Sequence, residues 1–227
     1  VNTNQILGTS GTIYGCTDPN AINYNPAATD NDGNCIYPIE TTIYDLQYTT
    51  NLTGAWDSDC YPTQFYEQFV SLSGVVSAIE PSGNKFFIQD FSTDAWAGVY
   101  VYNNEIWSLM VGDEIQVTAL ADEYFGVTEL TDITDLEVLS VSNALAPLSI
   151  STGSLGISCN DIGEQYEGML VRIDAISVES VDSEYDSWYV SDGTGTTKVD
   201  DYFFKSCVWS VSFGLSNKTL WAALKEL

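Results

Sequence analysis

A β-rich pattern occurs twice in this chain, and any fold must account for both copies. The first begins at Tyr66-Glu67, runs through residues 70–79 (VSLSGVVSAI) to 86–90 (FFIQD), and continues at 98–102 (GVYVY). The second begins at Tyr166-Glu167, runs through 170–178 (LVRIDAISV) to 188–192 (WYVSD), and continues at 199–204 (VDDYFF). Each copy is three β-rich segments divided by Gly, Ser and Asp turns, which predicts two successive β-units about 100 residues apart.

The length of 227 residues accommodates such a pair, and 44% hydrophobic with 13% aromatic content suffices to bury a core. No run of about 18 apolar residues occurs, so no membrane-spanning helix is expected. Val1 opens the chain without a charged-then-apolar leader, the form of a mature secreted protein and equally of a trimmed one.

Charge is the most lopsided property. With 32 Asp and Glu against 6 Lys and Arg, and no His, the net charge is -26. Such a surface repels phosphate backbones, because nucleic-acid binders draw most of their affinity from Lys and Arg displacing counterions. It attracts divalent cations and keeps an extracellular protein soluble. Absence of His also removes the usual general base and transition-metal ligand, and no nucleophile motif or phosphate loop is present. A non-catalytic role is therefore expected; a carboxylate pair acting as in glycosidases is the enzymatic alternative.

Residues 15–35, GCTDPNAINYNPAATDNDGNC, are the most specific stretch. Asp18, Asn20, Asn23, Asn25, Asp30, Asp32 and Asn34 place seven oxygen-bearing side chains among the turn formers Pro19, Pro26 and Gly33. Asp30, Asp32 and Asn34 alternate in a way that lets a curled loop aim three oxygens at one hard cation, and Ca2+ suits an all-oxygen set better than zinc or copper would. The alternative is that these Asp and Asn side chains make Asx turns and caps alone. Cys16 and Cys35 bracket this loop, and joining them would remove roughly 3 kcal/mol of unfolded-chain freedom. Cys60 and Cys159 precede the two Tyr-Glu pairs and are the expected second disulfide; Cys207 is left over, free, paired with another chain, or displacing one of them. Asn51 and Asn217 head glycosylation sequons that matter only in a suitable secretory host.

The 15–35 stretch resembles the Gly-Cys-Thr-Asp-Pro repeats of secreted and surface proteins of marine and gliding bacteria, which are thrombospondin type 3-like calcium modules. Asn31 and Asn34 depart from the usual Asp-Asp-Gly-Ser-Cys ending, so one carboxylate is an amide. The resemblance implies a calcium site on Asp18, Asn25, Asp30 and Asp32, completed by main-chain carbonyls. Further on, expected strand segments at 70–79, 85–89, 98–102, 114–120, 127–130 and 136–139 suggest a five-stranded OB barrel. Their pattern resembles the OB-fold modules attached to secreted bacterial nucleases and to Bacteroidetes surface proteins, which implies a β-barrel fold and an extracellular home.

The expected architecture is all-β: a short calcium-binding disulfide loop, then two OB-like β-barrels, the second atypical at its C-terminal end. Its divisions are a tail or donor strand (1–14), the loop module (15–37), the first barrel (38–142), and a second unit (143–227) introduced by a linker at 145–156. In that second unit a strand is expected at 208–215 and a short amphipathic helix over 217–227. The functional expectation is a structural or adhesive subunit that pairs with itself, as an oligomer or filament, or with neighbouring surface proteins through sheet edges and tails. The alternative is a nucleic-acid or glycan-binding accessory module of a nuclease, stacking bases on Phe86, Tyr100, Tyr102, Tyr124, Trp188 and Tyr189, although no basic groove accompanies them.

Overall fold

A computed structural model describes residues 11–51, 61–91, 95–157, 160–183, 187–200 and 218–223. It is an all-β protein with three short helices among the described residues. The chain forms two compact units, Val1–Pro38 and Ile39–Leu227.

The first unit has almost no core. Among its described residues only Cys16 and Ala21 are buried. Two-residue strands β1 (Tyr14–Gly15) and β2 (Asp30–Asn31) pair in parallel, with Tyr14 opposite Asp30. Tyr14, expected in the tail or donor strand, pairs with the loop as part of β1, and the Thr29 amide donates to the Ile13 carbonyl. The Cys16–Cys35 disulfide closes the loop. Where so little apolar surface is available, a covalent staple substitutes for a core.

The second unit begins with β3 (Ile39–Glu40) and α1 (Ile43–Gln47), followed by β4 (Gln68–Ile79), β5 (Lys85–Gln89), β6 (Gly98–Tyr102), β7 (Glu114–Tyr124) and β8 (Val127–Ser140). Five strands close into a ring in the order β4-β5-β6-β8-β7, with β7 returning to β4. Within that ring β6 and β8 run parallel, Tyr100 facing Glu129 and Val101 facing Leu130. This is the strand order of a five-stranded OB barrel. Period-two alternation fills it: Ile115, Val117, Ala119 and Ala121 of β7 point inward with Val70, Leu72, Val76, Phe86, Ile88, Val99, Val101 and Leu130. Burying each of the larger side chains contributes roughly 1.5–3 kcal/mol. Gly74 of β4 has a packing role, because a Cβ there would lie 2.8 Å from Cδ1 of Ile43 on α1.

A second set of elements repeats this plan: β9 (Leu148–Ser149), α2 (Thr152–Leu155), α3 (Asp161–Glu164), β10 (Leu170–Asp182), β11 (Ser187–Ser191), β12 (Thr196–Asp200) and β13 (Lys218–Ala223). Lead strand β9 pairs in parallel with β10 as β3 does with β4. The β10–β11 pairing slips between Val178 and Ser180, and β4–β5 slips between Val76 and Ala78, so the same bulge bends both hairpins. β13 lies on β10 as β7 lies on β4. Among the described residues nothing corresponds to β8.

The third segment of the second copy is present as β12 at Thr196–Asp200, with residues 201–204 outside the described residues. Two sequence expectations are corrected here. The linker at 145–156 is structured, because β9 and α2 occupy it. The helix expected over 217–227 is strand β13 at Lys218–Ala223. The free edge of β10 offers a full ladder of hydrogen bonds, and Thr219, Leu220 and Trp221 suit a pleated strand, so tertiary pairing overrides an amphipathic period. The strand expected at 208–215 lies outside the described residues.

Candidate functional site

In the loop module each expected calcium ligand heads a local turn or bond. Asp18 accepts the Asn20 amide at 2.9 Å and its side-chain Nδ2 at 3.0 Å through Oδ1, and the Tyr37 hydroxyl at 2.7 Å through Oδ2. The bond from the Asn20 amide, then that from Tyr37, holds its carboxyl below the usual range; the same contact pushes the Tyr37 phenol up. Asn25 Oδ1 accepts the Ala27 amide, Asp32 Oδ1 accepts the Asn34 amide, and Asp30 Oδ2 accepts the Thr29 hydroxyl. The turns at Asp18, Asn25 and Asp32 are Asx-type, the alternative that the sequence itself raised, whereas the Asp30 bond joins two side chains. Asn23 ties the loop ends together: its Nδ2 donates to the Asn34 carbonyl at 2.7 Å and its Oδ1 accepts the Ile36 amide at 2.9 Å.

Among the described residues no three Asp, Glu, Cys or His side chains gather as they would around a metal ion. Asp18, Asp30 and Asp32 are thus not brought to one point. The donor types fit a hard cation, and a calcium ion at this loop would have to draw further oxygens from amides and main-chain carbonyls. The Cys16–Cys35 pairing is present, with S–S 2.02 Å. Cys60 and Cys159 lie outside the described residues, as does Cys207.

The aromatic set considered for base stacking is divided by the fold. Phe86 is inside the barrel and fully buried. Tyr100 points to the opposite face of the sheet, where it packs at 5.0 Å on Phe87 together with Ala78 and Val127. Phe87 is 0% and Tyr100 1% exposed. The β5 and β6 face, which OB barrels use to bind oligonucleotides and oligosaccharides, is therefore closed at its centre. Tyr102 and Tyr124 are exposed at its rim, and Trp188 and Tyr189 are half-buried on β11. Lys85 reaches over the Tyr102 ring and bonds Glu80 at 3.6 Å, so it supplies no phosphate-binding groove.

A polar seam that sequence reasoning missed joins the two β-units. Gln47 of α1 donates through Nε2 to the Gly98 carbonyl at 2.7 Å and to Glu167 Oε1 at 3.3 Å. The same Glu167 oxygen accepts the Thr128 amide at 2.9 Å, while the Thr128 hydroxyl donates to Glu123 at 2.7 Å. Gln89 accepts the Leu170 amide, and the Trp96 amide donates to the Gln165 carbonyl. Gly98 and Gly168 let the backbones meet: a Cβ on Gly98 would stand 2.2 Å from the carbonyl carbon of Gly168, whose φ is +68°. Glu123, Glu129, Glu164 and Glu167 are all buried here. Burial pushes the Glu123 carboxyl up, and bonds from the Thr63 amide and Thr128 only partly offset it. One signal was legible, because Glu123 continues the inward series Ile115, Val117, Ala119, Ala121 of β7.

Asp192 anchors α2 to the β11–β12 turn. Burial pushes its carboxyl up, but bonds from Thr152 and Thr194 outweigh that and hold it well below the usual carboxylate range.

With the geometry described, comparison adds little. No family model matches the chain, and no curated protein matches it. Among solved structures, a crystal structure described as an aspartyl-tRNA synthetase from Leishmania major Friedlin aligns over 57% of this chain and 27% of its own length. The identity is 9% and the TM-score 0.32. A likeness this small carries no argument about this chain.

Proposed function

We propose that this chain is a non-catalytic structural or adhesive module of an extracellular or cell-surface assembly, stabilised by calcium and associating with copies of itself or with neighbouring surface proteins. The observation that carries the reading is the closed barrel face. Phe87 and Tyr100, which an oligonucleotide-binding barrel would present to its ligand, are spent on packing. The junction at Gly98 and Gly168 then consumes the end of the same hairpin. A scaffold so used is suited to rigidity.

Two further features support the setting. The disulfide is compatible with an oxidising compartment, and no described helix is long and apolar enough to cross a membrane. The resemblance of residues 15–35 to calcium repeats of bacterial surface proteins points the same way. Charge couples calcium to association: two copies, each at -26, repel one another until counterions collect between them.

Light scattering on the purified protein with calcium, and then with chelator, tests the proposal. Large particles that form with calcium and dissolve on chelation are expected. A monomer under every condition would sink the assembly reading, and a shift of labelled single-stranded DNA at moderate salt would favour an accessory module of a nuclease instead.

A further inference from the structure

An aromatic ridge stands on the second unit with no role in either core. Helix α1 is capped by Thr42, whose hydroxyl oxygen accepts the Asp45 amide at 3.0 Å and whose O–H donates to the Asp45 carboxylate at 2.9 Å. Ile43, Leu46 and Gln47 face inward and are essentially fully buried. Helical spacing then leaves Tyr44 and Tyr48 on the outer side, 47% and 45% exposed. Their rings stack at 5.3 Å with an interplanar angle of 8°. Trp96 meets Tyr48 edge-on at 5.5 Å and 80°. It is held in a left-handed backbone conformation, φ 63°, with its amide bonded to the Gln165 carbonyl at 2.6 Å. Such a conformation is costly for a bulky residue and persists only where the surroundings over-determine it.

The three rings are therefore fixed before any ligand arrives, which lowers the ordering cost of binding. Aromatic faces attract cations through the ring quadrupole, and more so in a negative field. That field is strong here. Asp45 sits on the same helix, and Gln165, whose carbonyl holds the Trp96 amide, caps α3, which carries Asp161 and Glu164. No lysine or arginine occurs in residues 1–84 or 86–171, so the segments carrying the ridge contain no cation of their own to occupy it. An anionic polymer would be repelled by the same charges.

We propose that the Tyr44–Tyr48–Trp96 ridge is a docking site for a guanidinium or ammonium group presented by a partner protein. The inference shares with the proposed function the need for a protein partner, but it does not depend on calcium. Its test can fail while calcium-dependent assembly survives, and the reverse.

The probe is a short peptide carrying two arginines, titrated into the full chain in the presence of chelator while the indole N–H resonance of Trp96 is followed by NMR; Trp96→Phe assigns that resonance. A saturable shift is expected. The double change Tyr44→Leu with Tyr48→Leu keeps apolar area and net charge but removes the π faces, and should weaken binding about fivefold, the size of one exposed cation–π contact. An unchanged melting temperature in that variant shows that the fold is intact. Equal binding by native and leucine variants would overturn the proposal, leaving only diffuse attraction to an acidic surface. A Trp96 shift with a neutral oligosaccharide and none with the peptide would overturn it in favour of a sugar platform.

Discussion

Glu123 shows how a single residue can be placed by a pattern and perturbed by a neighbourhood. It is the fifth inward position of β7, so alternation carries it below the surface, and burial pushes its carboxyl above 4.5. A raised folded-state value means that the folded protein holds this proton more tightly than the unfolded chain does. The group therefore destabilises the fold increasingly as pH rises from about 4.5 through the raised value, and less on acidification. Glu123→Gln, which keeps an acceptor for Thr63 and Thr128, should flatten that part of the stability profile; urea midpoints across the acid range would check it. Asp192 has the opposite sign. Its depressed value gives stability that is present above 3.8 and lost as pH falls below it. Asp192→Asn should cost roughly 1 kcal/mol at neutral pH, the scale of lost hydrogen bonds to a partly exposed charge, read as a lower melting temperature. Among single residues, Glu123 was missed because the expected strand stopped at 120, although extending the local alternation of β7 by three residues reaches it. Burial of Glu167 was not legible, since its Tyr-Glu pair reads the same as Tyr66-Glu67, whose glutamate stays exposed. What separates them is Gly168 beside Gly98, a contact between residues far apart in sequence.

At the scale of elements, the repeat legible in the sequence is real in three dimensions and longer than the motif that revealed it. It includes β3 with α1 and β9 with α2, two-residue strands and one-turn helices too short to show a period. The long strands β4, β7 and β10 were readable because their apolar positions alternate. β13 was not, because Leu220 and Trp221 satisfy a helical stripe and a strand equally well, and only the open edge of β10 decides between them. Docking of the two repeats rests on Gly98. Adding a methyl there drives Cβ onto backbone atoms of Gly168 and Met169, which have no rotamer by which to yield. Gly98→Ala should therefore destabilise the fold by about 3 kcal/mol, at the upper end for overpacking, seen as a shift in the denaturation midpoint without loss of the Cys16–Cys35 bond.

For the whole molecule, charge governs behaviour more than shape does. A net charge of -26 opposes both compaction and association, and either monovalent salt or a bound divalent ion can relieve it. The two act differently. If calcium occupies the 15–35 loop, it should promote association more than sodium chloride at the same ionic strength, and Asp18→Asn with Asp32→Asn should abolish the excess; scattering in matched buffers would show it. The oxygen-rich composition of the loop was legible in the sequence, whereas the placement of its carboxylates, each turned toward a neighbouring amide or hydroxyl, was not.

The Gly98–Gly168 junction also bears on how the chain acquires its structure. Every strand of the first barrel lies within residues 68–140, so that ring can close from nearby segments. The second repeat instead finds its place against a surface that must already exist, with Gln47 and Thr128 waiting as donors to Glu167 and Gln89 as an acceptor for the Leu170 amide. During synthesis from the amino end, the earlier repeat would thus serve as a template for the later one. Both should then melt together as one cooperative block, giving a single calorimetric transition for residues 39–227.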